Sequence, residues 1–303
     1  MIVADLSGEA LARTLAGPGL RLRTGPFVSR IQSRLPEVRD AIALHYAEHP
    51  AEDAACFADF HVRLTPPATL RRWLRPQVVF ELDGASPFHP FPVAQAFPIL
   101  EWGLNWCVSN HCHQYLIVHA AVLEKSGRAL VMSAPPGSGK STLCAGLASR
   151  GWRLLSDELA LIEPASGDVA PLPRPISLKS ASIDVIRTFV SGAELGPTVR
   201  DTAKGAVAHL RPPVESVKLA AERARPRWVV LPRYEPSAGA RLDPMAKGPA
   251  FMQLADNAFN YHLHGRAGFA LLAELVEACD CYEFAYGDLE EAVRTFDALA
   301  ANA

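Results

Sequence analysis

The stretch that decides the fold runs from Tyr115 to Glu163: YLIVHAAVLEKSGRALVMSAPPGSGKSTLCAGLASRGWRLLSDELALIE. It reads as strand, turn, strand, glycine-rich loop, helix, turn and strand. Ala129–Met132 is a short apolar run suited to a buried strand, with Ser133 and Ala134 leaving it. Pro135-Pro136-Gly137-Ser138-Gly139-Lys140-Ser141-Thr142 follows, then a helical segment with Leu143 and Leu147 one turn apart. Gly151 stands where a helix C′ residue belongs. A strand before and a helix after is the context a phosphate-binding P-loop requires.

The residue types suit that chemistry. Triphosphate oxygens must meet several backbone N–H groups at once, so the loop has to bend tightly around them. Gly137 and Gly139 permit backbone angles and a close approach that a Cβ would obstruct. The helix that starts here presents unpaired N–H groups and the positive end of its dipole to an anion. Lys140 can reach the β and γ oxygens, the Ser141 hydroxyl can join a Mg²⁺ shell, and Thr142 can add a phosphate contact. The expected nucleotide contacts are therefore Pro136, Gly137, Ser138, Gly139, Lys140, Ser141 and Thr142, with ATP and Mg²⁺ as cofactors. Ala134 stands where the full pattern begins with glycine.

The whole chain sets bounds on this reading. Its 303 residues hold one large domain or two modest ones, and 49% hydrophobic content is ample for a core. Thirty basic against 32 acidic residues leave a formal charge of −2, which argues against a general nucleic-acid binder. The start, MIVADLSGEALARTLAG, lacks a basic segment followed by a long apolar one, and no run reaches the length of a membrane helix. The expectation is a cytoplasmic protein with no membrane partner. Six cysteines without CxxC spacing read as reduced core thiols. His111-Cys112-His113 lacks the separated second pair of a structural zinc site and reads as a loop or helix end.

Residues 1–110 read as a smaller α+β unit ahead of a P-loop domain at 111–303. Prolines are dense there, with a strand at Val78–Leu82 ending in the turn Asp83-Gly84, and helices at 36–49 and 97–107. Arg63, Arg71, Arg72, Trp73 and Arg75 form a basic stretch that is either a solvated face or a seat for an acidic partner. With no catalytic motif in this part, docking or dimer contact is its expected role, and a homo-oligomer stays open. In the second part strands alternate with helices, which implies a layered α/β sheet.

Two further motifs flank the loop: His119-Ala120-Ala121 upstream and Leu154-Leu155-Ser156-Asp157-Glu158 downstream. Together with the loop they resemble the HPr kinase/phosphorylase family, and more closely the HPr-kinase-related kinases associated with peptide-maturation systems. Arg174–Lys179 and Lys204–Leu210 are further matching pieces, so the resemblance covers about residues 115–290. It implies a mixed sheet like that of HPr kinase and phosphoenolpyruvate carboxykinase. The implied activity is an ATP-dependent kinase acting on a hydroxyl, such as a Ser of a peptide or small protein, a peptide-maturation precursor among them. The acidic pair is Asp-Glu rather than Asp-Asp, and Thr142 stands where HPr kinases usually have Glu. These departures point away from HPr itself as substrate and from phosphorylase activity.

By that resemblance Asp157 is the base toward the acceptor and Glu158 the metal-side acid, with Ser141 completing the metal set and His119 beside the phosphates or the base. Successive strand residues point to opposite faces, so both acids serve only if the chain leaves regular strand geometry there. The plainer alternative is one metal carboxylate with a spectator neighbour. Arg174, Lys179 and Lys204 can stabilise charge on the transferred group, and Asn257, Asn260 and His264 can line the nucleotide base. A small-molecule kinase and a nucleotide-binding regulator with little turnover are the competing functions.

Overall fold

The computed structural model describes residues 1–68 and 75–302. Arg71, Arg72 and Trp73 of the basic stretch lie outside the described residues.

The first third holds more sheet than its prolines suggested. Strands β1 (Leu20–Thr24), β2 (Phe27–Ser33), β3 (Ala51–Glu52), β4 (Phe60–Thr65), β5 (Gln77–Leu82) and β6 (Phe91–Pro92) form one sheet in the order β3-β1-β2-β4-β5-β6. Only the β2–β4 pair is parallel. Along β4 the pattern is strict alternation, with Phe60, Val62 and Leu64 buried and His61 and Arg63 exposed, as a half-covered strand requires. Helices α1 (Gly8–Ala16), α2 (Pro36–His45) and α3 (Ala96–His111) close the covered face. Ser7 caps α1 through the Ala10 N–H, and Pro36 opens α2 in the first turn, where no backbone donor is needed.

This core does not stop at residue 110. Ile117, Leu159, Leu161, Ala170 and Leu172 pack into it beside Leu22, Ile31 and Leu100. At the tip of the β1–β2 hairpin Gly25 has φ +54°, and a Cβ there would lie 2.0 Å from the Pro171 carbonyl oxygen. The two parts of the chain touch backbone to backbone.

The rest of the protein is a layered α/β structure. Strands β7 (Leu116–His119), β8 (Ala121–Lys125), β9 (Arg128–Met132), β10 (Arg153–Ser156), β11 (Leu159–Ile162), β12 (Val169–Ala170), β13 (Ile176–Lys179), β14 (Val199–Thr202), β15 (Gly205–Leu210), β16 (Arg225–Tyr234), β17 (Arg241–Pro244) and β18 (Asp280–Tyr286) form three sheets. The six-stranded one runs β10-β8-β9-β16-β18-β17, parallel at β9–β16 and β16–β18 and antiparallel elsewhere. Two antiparallel three-stranded sheets, β12-β11-β7 and β13-β15-β14, flank it.

Both faces of the six-stranded sheet are covered, so its central strands carry continuous apolar runs, Ala129–Met132 in β9 and Trp228–Leu231 in β16. Leu130, Met132, Trp228, Val230 and Phe284 face a core shared with α4 (Lys140–Ser149), α5 (Ala181–Phe189) and α9 (Leu289–Ala301). Ala129, Val131, Val229 and Cys281 face the opposite core, which takes in α7 (Lys247–Asp256) and α8 (Tyr261–Ala278). Between β15 and β16 lies the short helix α6 (Val214–Lys218). Among the described residues no helix is long and apolar enough to cross a membrane.

Candidate functional site

The site lies where the parallel strands end. β9 hands the chain to the loop 133–139, and β16 and β18 finish beside that loop at Tyr234 and Tyr286. Gly137 has φ +87° and Gly139 φ +86°, the left-handed region that glycine enters without a steric cost. Ala134 is buried and is not among the positive-φ positions, so its place in the pattern tolerates a Cβ. The loop is anchored from both strands. The Tyr234 N–H donates to the Ser138 carbonyl at 2.9 Å, and the Tyr286 hydroxyl donates to the Gly139 carbonyl at 2.9 Å. Gly139 is also the N-cap of α4, so the first N–H groups of that helix open at the loop.

Lys140 and Ser141, the first residues of α4, both meet the acidic pair. The buried Lys140 ammonium donates to the Asp157 carbonyl at 3.0 Å. The Ser141 hydroxyl lies 3.3 Å from Asp157 Oδ2, which also accepts the Ser177 N–H at 3.1 Å. The other carboxylate oxygen, Oδ1, is buried and has no hydrogen-bond partner. Burial pushes the Asp157 carboxyl above its ordinary value, Lys140 opposing and Glu158 adding to the shift.

Glu158 points elsewhere. Its Oε2 lies 2.9 Å from His119 Nε2, where the ring N–H donates to the carboxylate, and both side chains remain partly exposed. Burial would raise Glu158, yet the His119 hydrogen bond and the charges of Lys140 and Lys179 carry it well below the usual carboxylate range. The condition set by the sequence is met: β10 ends at Ser156, residues 157–158 form a bend, and the β10–β8 register shifts between Leu154 and Ser156. The two carboxylates thus take different neighbours. His119 is the last residue of β7, its N–H held by the Asn257 carbonyl at 2.8 Å.

Lys179 ends β13 and Lys204 sits in the β14–β15 turn with its ammonium 4.8 Å from the Trp102 ring. Burial, with Lys179 next, lowers the Lys204 amine, and Glu158 opposes them. Four residues expected at the site, Arg174, Asn257, Asn260 and His264, are engaged by other parts of the fold. Arg174 does not face the acidic pair. Its guanidinium is buried against α3, donating to Glu101 Oε2 at 2.7 Å, to the Glu101 carbonyl at 2.8 Å and to Asn105 Oδ1 at 2.9 Å. Asn260 is fully buried, its Oδ1 accepting the Ile117 N–H at 2.9 Å and its amide donating to the Tyr115 carbonyl at 2.8 Å. His264 Nε2 lies 3.1 Å from that same carbonyl, and Asn257 Nδ2 donates within its own helix to Gln253. Asn260 and His264 fasten the α7–α8 segment to β7 through their side chains, and Asn257 does so through its backbone carbonyl, which accepts the His119 N–H.

Sequence reasoning missed Ser177 and Tyr286. Ser177 falls inside the noted Arg174–Lys179 stretch, but it acts through its backbone N–H, which no side-chain pattern announces. Tyr286 lies 147 residues from Gly139 and carried no signal.

Among the described residues no three His, Cys, Asp or Glu side chains gather at metal-holding distance. Mg²⁺ does not ask for such a cage. It is held by one or two carboxylates plus phosphate oxygens and water. The Ser141 hydroxyl and the unpartnered Asp157 Oδ1 fit that donor set.

No curated protein matches this chain. A family model does, over residues 99–179, from α3 through the loop and the acidic pair to Lys179. Over that segment, a little over a quarter of the chain, the protein is similar to the family described as SynChlorMet cassette protein ScmC.

Proposed function

We propose that the protein is a P-loop kinase that transfers the γ-phosphoryl group of ATP to a hydroxyl, with an acceptor of the peptide or small-protein class. One observation carries this reading: a glycine-rich loop at a helix N-terminus faces a buried carboxylate with a free oxygen, and a His–carboxylate pair stands beside it. Phosphoryl transfer needs phosphate positioning, a divalent cation and a group that orients or deprotonates the acceptor. The loop amides and Lys140 supply the first. Magnesium, held by Ser141 and Asp157, would neutralise charge on the β and γ oxygens.

The neighbours of each acid favour a division opposite to the one expected from sequence. A buried carboxyl pushed up by desolvation, next to the loop serine, gains most from a cation, which favours Asp157 as the metal-side acid. Glu158, ionised, partly exposed and bonded to His119, is the acceptor-side group. It accepts the hydroxyl proton directly or fixes His119 to do so. Lys140 holds the loop end of the acidic segment as well as facing the phosphates.

A peptide acceptor is favoured over a small molecule by the surface next to His119. The Phe259 ring lies 6.1 Å from it, and Phe259, Leu263, Met252 and Phe269 are exposed on the α7–α8 segment. Exposed apolar side chains beside a reacting group are what a peptide would cover. The similarity to a cassette protein agrees with an acceptor encoded beside it, such as a maturing peptide.

Lys140→Met tests the reading. It keeps length and burial but removes the charge. Calorimetry should show Mg·ATP binding weakened by about tenfold or more and turnover lost. Wild-type binding and turnover in a folded Lys140→Met protein would remove the loop from the nucleotide site.

A further inference from the structure

The contact between Arg174 and α3 plays no part in the phosphoryl transfer proposed, yet the guanidinium is buried and makes four hydrogen bonds. Glu101 takes the guanidinium on Oε2 and the Tyr46 hydroxyl on Oε1, at 2.7 and 2.5 Å. Asn105 and the Glu101 carbonyl take two more Arg174 donors, and Arg174 Nε lies 3.4 Å from the Tyr46 oxygen. Arg174, Glu101 and Tyr46 are all buried. Such a pair is poor evidence for stability, because apolar replacements of similar volume often do as well or better. What a buried, geometrically demanding pair can contribute instead is conformational specificity, register being its best-attested form.

The register at stake is three residues away. Residues 171–175 run without ladder pairing, and β13 begins at Ile176. Ser177 pairs with His209 of β15, and its N–H turns the other way, onto Asp157 Oδ2. That bond and the Ser141 hydroxyl are both on Oδ2, which leaves Oδ1 as the free oxygen. The Ser177 N–H therefore holds the same carboxylate oxygen that the Ser141 hydroxyl meets.

We propose that Arg174 is a positioning residue: its clamp on Glu101 and Asn105 holds residues 174–177 so that the Ser177 N–H aims the Asp157 carboxylate at the metal side of the loop. The amino-terminal unit thereby sets the geometry of the site through α3. What Asp157 binds rests on the kinase reading; the clamp itself does not.

The test compares the full-length protein with the paired variant Glu101→Met/Arg174→Met and with Arg174→Lys, which keeps the charge but loses the fork. Amide hydrogen exchange at Ser177 reads the bond to Asp157, and nucleotide binding is titrated with Mg²⁺ and in EDTA. In the paired variant Ser177 should exchange about tenfold faster. The gain in ATP affinity from Mg²⁺ should fall about 10- to 100-fold, the usual effect of losing a group that orients a metal ligand. Affinity in EDTA should stay within about twofold, a split that general loosening would not produce. Arg174→Lys should lie between, and it carries the test if the paired variant does not fold. Unchanged Ser177 exchange with an unchanged Mg²⁺ gain would overturn the proposal. Faster Ser177 exchange in a protein that binds no nucleotide under either condition would uphold the clamp and end the kinase reading.

Discussion

At Asp157 and Glu158 two adjacent carboxylates are driven in opposite directions by their surroundings, and that difference can be read out. Asp157→Asn keeps the shape and can still accept the Ser177 N–H. It should cut the Mg²⁺-dependent part of ATP affinity by about tenfold or more, while metal-free affinity changes little. Because burial penalises the charged carboxyl, its melting temperature should not fall. Glu158→Gln should leave Mg·ATP affinity within about threefold and lower transfer to the acceptor by about 10²–10⁴, the range of a positioned acid or base. Reversed losses, binding at Glu158→Gln and transfer at Asp157→Asn, would restore the division expected from sequence.

At the scale of elements, the loop and α4 depend on two glycines that are not equivalent. Gly137 and Gly139 share a left-handed backbone, but a Cβ on Gly137 meets nothing within 4 Å. A Cβ on Gly139 would lie 2.4 Å from the Tyr286 hydroxyl, which is bonded to the Gly139 carbonyl. Gly137→Ala should cost only the backbone strain, about 1–2 kcal/mol. Gly139→Ala should cost more, because Tyr286 must move and release the start of α4. Thermal unfolding of the two variants beside ATP titrations should show the larger loss of both at Gly139→Ala; equal losses would mean that Tyr286 does not shape the loop. The helix itself was legible in the sequence, since glycine spacing, the apolar turn Leu143–Leu147 and Gly151 with φ +90° are all local. Less legible were β1 and β2, whose alternate residues are arginines and polar side chains on the outer face. Their membership of a sheet comes from pairing with β3 and β4, not from apolar content.

At the scale of the whole molecule, three buried histidines lie along the seam where the amino-terminal unit meets β13 and β15. His45 stacks on Phe97 at 4.8 Å, His49 Nε2 meets the Pro173 carbonyl at 2.8 Å, and the His209 ring lies 6.2 Å from that of His45. Burial is the main cause in each case: His45 and His49 are lowered to about 4 and His209 to about 3. All three are neutral in the folded protein at pH 7. As pH falls below the ordinary value of 6.5 the unfolded chain takes up protons first, so stability is complete above about 6.5 and drains away toward pH 4. The shifts cap the contribution at about 3 kcal/mol each for His45 and His49 and about 5 kcal/mol for His209, and the His45–His209 coupling makes the sum smaller. Melting temperature measured from pH 7.5 to 4.5 should drop steeply below 6.5, and His209→Leu should flatten the slope. A flat profile would show that the seam opens to water without unfolding.

What the sequence determined by itself was local chemistry: the glycine-rich loop, the helix behind it, the adjacent acids Asp157 and Glu158, and a strand that carries His119. The loop is legible because backbone amides can converge on one point only if they are neighbours in the chain. Tertiary structure alone decided who meets whom. Glu158 finds His119 at 39 residues' distance, Arg174 finds Glu101 at 73, and Asn260 finds Ile117 at 143. Alternation along a strand says only that neighbouring side chains diverge. The bend at 157–158 and the register of β13 against β15 settle which acid faces the loop, and both are products of packing that no short stretch of sequence contains.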